Sequence, residues 1–229
     1  MMLSNYYPIR FGIRATLGAL VVCLLAGCSI EWNLGGVRGS GEVQTETREV
    51  AGFRNINLKS QGKVVIKQGE KESLTLSAED NILPLLESRV ADGTLHLEIL
   101  KGTNLRPTKP IEYIVEVKTL EGLQVSGVGQ MEGNDLKSPK LVVSLSGVGN
   151  MALKGSVEVL ELKVTGVGSF QGAELQTKKA VVRNSGVGNA IVNVSDQLDA
   201  TVSGVGTIEF LGNPSVNQSV SGIGKIRKR

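Results

Sequence analysis

The stretch VSLSGVGN, residues 143–150, reads at first as a nucleotide-binding glycine loop, with two glycines around a valine and a serine just before them. It does not stand alone. Ser126-Gly127-Val128-Gly129, Ser146-Gly147-Val148-Gly149, Thr165-Gly166-Val167-Gly168, Ser185-Gly186-Val187-Gly188, Ser203-Gly204-Val205-Gly206 and Ser221-Gly222-Ile223-Gly224 all carry the pattern. Successive first glycines lie 20, 19, 20, 18 and 18 residues apart. A period near 19 that tolerates small slips marks a solenoid in which each repeat is one coil. At about 3.3 Å per extended residue a coil follows a path of about 60 Å, and six coils at about 4.8 Å rise about 24 Å. A dinucleotide loop would need a third glycine three residues on and a following helix. Gly127-Val128-Gly129-Gln130-Met131-Glu132 lacks that glycine, and strand patterns follow every copy.

Parity within the repeat supports strands. With the Ser or Thr as zero, offset −1 holds Val125, Leu145, Val164, Asn184, Val202 and Val220, and offset +5 holds Met131, Met151, Phe170, Ala190, Ile208 and Ile226. Both glycines share this odd parity. A straight strand therefore turns the glycines inward and the Ser and Val outward, the glycines letting thin walls approach or the backbone bend without a Cβ clash. The alternative is a bulge that flips the valine inside. Asn184 and Ala190 interrupt the apolar columns and mark a buried polar group or a thinner core. Period-two alternation also runs through Ile56 to Ile66, Leu74-Leu76, Leu95 to Ile99 and Ile111 to Val117, the mark of half-buried strands. Asn81 to Ser88 breaks it as a short helix or turn, and Leu105 to Pro110 reads as a loop. Leu58-Lys59-Ser60-Gln61-Gly62-Lys63-Val64 is a faint earlier copy, with Ser60 and Gly62 at the glycine positions.

If the valines face out, Val128, Val148, Val167, Val187, Val205 and Ile223 stack into an apolar stripe. Exposed patches of that kind are seldom idle. An inward turn, or cover by the N-terminal half of the domain, is the first expectation. Docking of a partner is the other.

The first residues are a separate matter. Arg10 and Arg14 precede an uncharged run from Ala15 to Leu25, too short to span a bilayer and suited to a signal-peptide core. Leu25-Ala26-Gly27-Cys28 looks like a bacterial lipobox, with residues 1–27 removed and Cys28 acylated. Cys23 leaves with the signal, so no thiol remains for a disulfide, metal or nucleophile. Residues 28–45 read as lipidated cysteine and flexible tether, with Trp32 near the membrane interface, and 46–229 as the domain. From Cys28 onward 23 basic and 22 acidic residues give a net charge of +1, which leaves no electrostatic footprint for nucleic acid. The basic end Lys225, Arg227, Lys228 and Arg229 reads as a solvated tail. Aromatic residues make up only 3%, so Val, Leu and Ile fill the core.

The spaced Ser-Gly-x-Gly motifs, together with Phe210-Leu211-Gly212-Asn213-Pro214-Ser215-Val216 and the last copy at 221–224, resemble the family described as putative auto-transporter adhesin, head GIN domain. The strands around Phe53 to Leu76 and the Asn81-Ile82-Leu83 segment fit its N-terminal half. The resemblance covers about 46–229 and implies an all-β, right-handed, single-stranded parallel β-helix (β-solenoid) with coils of about 18–20 residues, often lipid-anchored in bacterial envelopes. It brings no catalytic residues. The family's middle residue is often serine, whereas here it is Val or Ile in every copy.

Chemistry is sparse. His96 alternates between Leu95 and Leu97 and reads as a solvated side chain rather than a general base. Asp196 and Asp199, with Arg183 one coil earlier, are the nearest approach to the carboxylate and arginine set of a polysaccharide-lyase-like β-helix, and read as surface charges. The motifs lack the aspartates of calcium-binding β-rolls. The sequence thus favours a non-enzymatic, lipid-anchored envelope module of adhesion, binding or structural type, sorted to the outer membrane in a Gram-negative host by Ser29 after Cys28. It meets the membrane through lipid and an envelope protein or glycan through its repeats. No cofactor or metal is expected, and oligomerisation stays open. The alternatives are a carbohydrate-active β-helix enzyme and an envelope-stress or assembly factor.

Overall fold

A computed structural model describes residues 35–229. Cys23, Cys28, Trp32 and the whole signal segment lie outside the described residues. The strands are β1 (Val37–Arg38), β2 (Val43–Arg48), β3 (Asn55–Leu58), β4 (Gln61–Gln68), β5 (Ser73–Glu79), β6 (Leu86–Ala91), β7 (Thr94–Ile99), β8 (Leu105–Arg106) and β9 (Glu112–Val117). Then come β10 (Gly122–Val125), β11 (Val128–Leu145), β12 (Val148–Val164), β13 (Val167–Asn184), β14 (Val187–Val202), β15 (Val205–Leu211), β16 (Ser215–Val220) and β17 (Ile223–Lys228). A 3-10 turn, Leu83–Leu85, occupies the segment where alternation fails. The protein is a β-solenoid of stacked parallel coils, as the 19-residue period requires.

Two columns of strands run the length of one 15-stranded sheet. One passes β2-β5-β9-β4-β11-β12-β13-β14-β15-β17, and the other β6-β7-β3-β10-β11-β12-β13-β14-β16. Strands β11 to β14 belong to both because each winds round nearly a whole coil, broken only at the Ser-Gly pair. Apolar residues of odd parity fill the space between the walls. Val125, Leu145, Val164 and Val202 are buried from one wall, and Met131, Met151, Phe170 and Ile208 from the other. Ala190 is also buried, stacked directly between Phe170 and Ile208, where its small volume sits beside the largest residue of the column. In the last coil Val216 and Val220 are exposed, since no described strand covers that edge.

The motif's register is unbroken. Val128 pairs with Val148, Val148 with Val167, Val167 with Val187, Val187 with Val205 and Val205 with Ile223. The faint copy joins this ladder, with Gln61 opposite Val128 and Gly62 opposite Gly129. Ser60 replaces the first glycine there, and its hydroxyl hydrogen-bonds the buried Tyr113 hydroxyl at 2.9 Å. The one- and two-residue differences in repeat length are absorbed away from the motif, at register shifts between Gly133 and Leu136, between Gly172 and Gln176 and between Thr177 and Lys179. Asp135, at φ +56°, is part of the first of these.

The glycines serve a purpose different from a thin core. At the Ser-Gly corner the amides of Ser146 and Gly147 both donate to the Val125 carbonyl at 2.9 Å, and the Val148 amide donates to the Gly127 carbonyl at 3.0 Å. The hydrogen-bond ladder between coils thus continues round the corner. A Cβ added to Gly147 would lie 2.0 Å from the Gly127 oxygen, and one on Gly149 would lie 1.7 Å from the Gly129 oxygen. The same collision with the coil beneath recurs at Gly166, Gly186, Gly204 and Gly222. The missing side chain is therefore aimed along the solenoid axis at backbone, not across the core at the opposite wall.

The N-terminal end is closed by polar groups. On β2, Glu46 and Arg48 lie opposite buried Leu76 and Leu74, so they face the core side. Arg48 pairs with Glu46 and donates to the Leu86 carbonyl at 2.6 Å and the Leu83 carbonyl at 3.2 Å. Inward charge on an edge strand satisfies loose carbonyls and discourages further strand addition. The ordered domain also begins earlier than the boundary at 46 that composition suggests. β1 pairs with β8, and β2 pairs with β5, so much of the glycine-rich stretch is held in place. Glu79 helps to hold it: its carboxylate accepts from the Gly41 amide at 2.8 Å, the Thr108 amide at 2.9 Å and the Thr108 hydroxyl at 2.5 Å. Desolvation pushes this carboxyl up, but the hydrogen bonds from Thr108, Gly41 and Lys109 outweigh it and hold Glu79 below its ordinary range.

Two outcomes follow from these contacts. Gly166→Val should cost on the order of 3 kcal/mol or prevent folding, through backbone overpacking, while exposed Ser146→Val should shift stability by under about 0.5 kcal/mol. Urea unfolding of the two variants checks this. Because the Glu79 pKa is lower folded than unfolded, its stabilisation is present above its ordinary value of 4.5 and is lost as pH falls through the folded value. Glu79→Gln should therefore melt below the wild type at pH 7, with the gap closing as the pH drops beneath 4.5.

Candidate functional site

The stripe lies on the outside. Val128, Val148, Val167, Val187 and Val205 are 47–57% exposed, and Ile223 is 78% exposed. Neither an inward bulge nor the N-terminal half covers them, which overturns the first expectation. The reason is the unbroken alternation. With Gly147 and Gly149 accommodated against the coil beneath, the backbone turns at Ser146-Gly147 without losing its in/out alternation and leaves Val148 on the solvent side.

The neighbouring columns complete a face that the sequence reading did not single out. Outward at offset zero are Ser126, Ser146, Thr165, Ser185, Ser203 and Ser221, and at offset +4 are Gln130, Asn150, Ser169, Asn189, Thr207 and Lys225. Through the first five coils, every side chain in these three columns is uncharged. The +4 column is partly linked to itself. Asn150 accepts from the Ser169 hydroxyl at 2.7 Å and its amide at 3.1 Å, and Asn189 accepts from the Thr207 amide at 3.0 Å. Its signal in the sequence was available, since amide or hydroxyl residues recur at one offset, but the valines drew the reading. Charges begin one column away on either side, Lys163 and Arg183 at offset −2 and Glu132 and Glu209 at offset +6, and elsewhere on the coils they pair as Lys140–Glu161, Lys154–Glu174 and Lys178–Glu158.

The residues weighed as catalytic candidates are not brought together. Register places Arg183 beside Thr201, whereas Asp199 pairs with Val181. Asp199 accepts from the side chains of Gln197 and Asn217, both at 3.2 Å, and Asp196 from Ser195 at 2.6 Å. His96 is on the outer face, as alternation requires, but its side chain is only 16% exposed rather than freely solvated. It sits between Asn57 and Arg89 across the sheet. Burial lowers its pKa first, then the charges of Lys59 and Arg89, against the opposing pull of Glu98. Lys59 and Arg89 both bind Glu98, at 2.6 and 3.2 Å, and hold its carboxyl below the usual range. This is a salt-bridged surface cluster. Tyr113 is pushed up to about 12 by burial and stays a neutral hydrogen-bonding partner of Ser60. Asn184 is the buried polar group that its column foretold, donating to the Gly188 carbonyl at 2.7 Å. Among the described residues no group of three His, Cys, Asp or Glu could hold a metal ion. No helix among them is long and apolar enough to cross a membrane.

These features define a β-solenoid that carries a repetitive exposed face. Residues 52–214 match the family described as putative auto-transporter adhesin, head GIN domain, and the chain belongs to it. It is similar to the crystal structure of a putative adhesin from Bacteroides fragilis, at 29% identity and TM-score 0.70, over 85% of this chain and 100% of that one. Two structures from Parabacteroides distasonis share the fold over 85% of this chain and 100% of theirs. One is of a putative adhesin, at 19% identity and TM-score 0.54, and the other of a putative lipid binding protein, at 22% and 0.51. No curated relative matches the chain.

Proposed function

We propose that this protein is a lipid-anchored module of the bacterial cell envelope that binds rather than catalyses, and that the stripe from Val128 to Ile223 is its contact surface. The observation that carries the reading is the exposure of six in-register apolar side chains on a chain whose other outward positions are largely polar. Leaving such residues in water has no use within the fold, and an aliphatic row of this regularity serves recognition. Family membership and the adhesin names of similar structures support an envelope role. The Leu25-Ala26-Gly27-Cys28 segment supports anchoring at Cys28, and Ser29 supports the outer membrane in a Gram-negative host.

Two measurements bear on this. The full chain, purified in detergent, should cosediment with isolated envelopes. Val148→Ser combined with Val167→Ser should remove most of that binding while changing stability by under about 0.5 kcal/mol per site. Loss of stability in place of binding would make the stripe a structural element. In cells, Cys28→Ser should release the protein from the membrane fraction or leave the signal uncut, and unchanged partitioning and processing would defeat the anchor.

A further inference from the structure

The composition of the stripe and its flanks says more about what it holds. We infer that the Ser–Val–Asn face takes a neutral, linear polysaccharide lying along the solenoid axis, an assignment that rests on the contact-surface reading above. The first argument is charge. The chain has 25 basic and 22 acidic residues, yet offsets zero, +2 and +4 carry none from Ser126 to Thr207. Along the axis the zone ends in lysines, Lys63 opposite Gln130 in the coil before and Lys225 opposite Thr207 in the coil after. At its sides charges of both signs, Lys163 and Arg183 on one edge and Glu132 and Glu209 on the other, give no single-sign field. Nucleic acid, anionic lipid headgroups and uronic-acid polymers are all recognised by cations placed among the contacts. This face offers none within its five-coil span.

The second argument is size. Six coils at about 4.8 Å by four residues at about 3.3 Å give a face of about 24 by 13 Å, roughly 300 Å². A stable protein interface takes about 800 Å² from each partner. A second copy docked stripe to stripe would bury far too little to persist. A thin ligand that follows the stripe makes full use of it.

The third argument is chemistry and repeat. Hydroxyls in one column, methyl groups in the next and amides or hydroxyls in the third recur once per coil. Sugar rings present both C–H patches and hydroxyls, so each unit of a neutral chain can meet both kinds of group. Ser146, Val148 and Asn150 supply one such set, and Ser185, Val187 and Asn189 another, all six exposed. Without aromatic side chains each contact is weak, and retention comes from several sites on one polymer acting together.

The test uses the full chain in detergent and cosedimentation with insoluble cellulose, chitin and curdlan as neutral polymers, and calcium pectate as the anionic one. The protein should sediment with at least one neutral polymer and not with pectate. The bound fraction should hold between 50 and 500 mM NaCl, roughly the range over which screening would erase a charge-driven contact. Val148→Asp with Val187→Asp should reduce it at least about fivefold, about 1 kcal/mol, because two apolar contacts are replaced by carboxylates that the neutral chain would have to desolvate. Lys179→Asp, exposed at offset +14 and far from the three columns along the coil, should leave it unchanged. Absence of binding to every neutral polymer overturns the inference, as does binding that salt removes or that the paired aspartates leave intact. The salt series on the wild type decides without reliance on any variant's folding. If envelope cosedimentation depends on Val148 and Val167 while no neutral polymer binds, the contact surface stands and the glycan assignment falls. If the valine variants also leave envelope binding unchanged, both fall.

Discussion

Everything in this structure depends on how closely one coil lies on the next at the Ser-Gly corner. There the backbone turns without losing its hydrogen bonds. Two successive amides share one carbonyl of the coil beneath, and the valine amide takes the carbonyl of the glycine beneath. That approach leaves about 2 Å between a glycine oxygen and the place where the next coil's Cβ would stand, so only hydrogen fits. Each glycine is thus required by the glycine one coil below. The repeated motif is the result of a contact that propagates through the stack, rather than six independent solutions to one turn.

The stripe is a consequence of this geometry. Because the ladder is maintained through the corner, the strand keeps its alternation, and the residue between the two glycines must point to solvent. The fold needs the glycines, but it does not need an aliphatic side chain between them. Serine would serve the backbone as well, so the five valines and one isoleucine reflect what the face meets. The ends of the stack differ in the same physical terms. Arg48 and Glu79 close the N-terminal end with satisfied polar groups, while Val216 and Val220 stay exposed at the last described coil.

Much of this was legible in the sequence because a solenoid writes its geometry locally. The 19-residue period gave the coils, odd parity gave the buried columns, and Ser60 with Gly62 marked an earlier coil. Both continuations of the strand, straight and bulged, were compatible with that parity, and only the backbone collisions at Gly147 and Gly149 explain why the straight one holds. Of the two roles open to the glycines, thin walls or a corner without a Cβ clash, the second holds, with the clash directed at the coil beneath. Parity tells which side of a sheet a residue occupies, but says nothing about distance along the stacking axis. The early start of the domain was hidden because Val37 to Arg48 is ordered by partners far away in sequence, β8 and β5, and by Glu79. His96 was placed on the correct face, yet its partial burial comes with Asn57 and Arg89 beside it on neighbouring strands, which parity along its own strand does not reveal. The uncharged +4 column was readable and went unread.

The claim on which the rest stands is that the six aliphatic side chains form one straight, outward row. Spin labels on cysteines replacing Val128 and Ile223, in a chain whose Cys23 and Cys28 are serine, measure this row directly by pulsed electron paramagnetic resonance. Five coil spacings predict a narrow distribution centred at about 24 Å, with the melting temperature retained. A broad distribution, a centre well away from that distance, or unfolding on labelling would mean that the valines are buried or out of register, and would contradict the account.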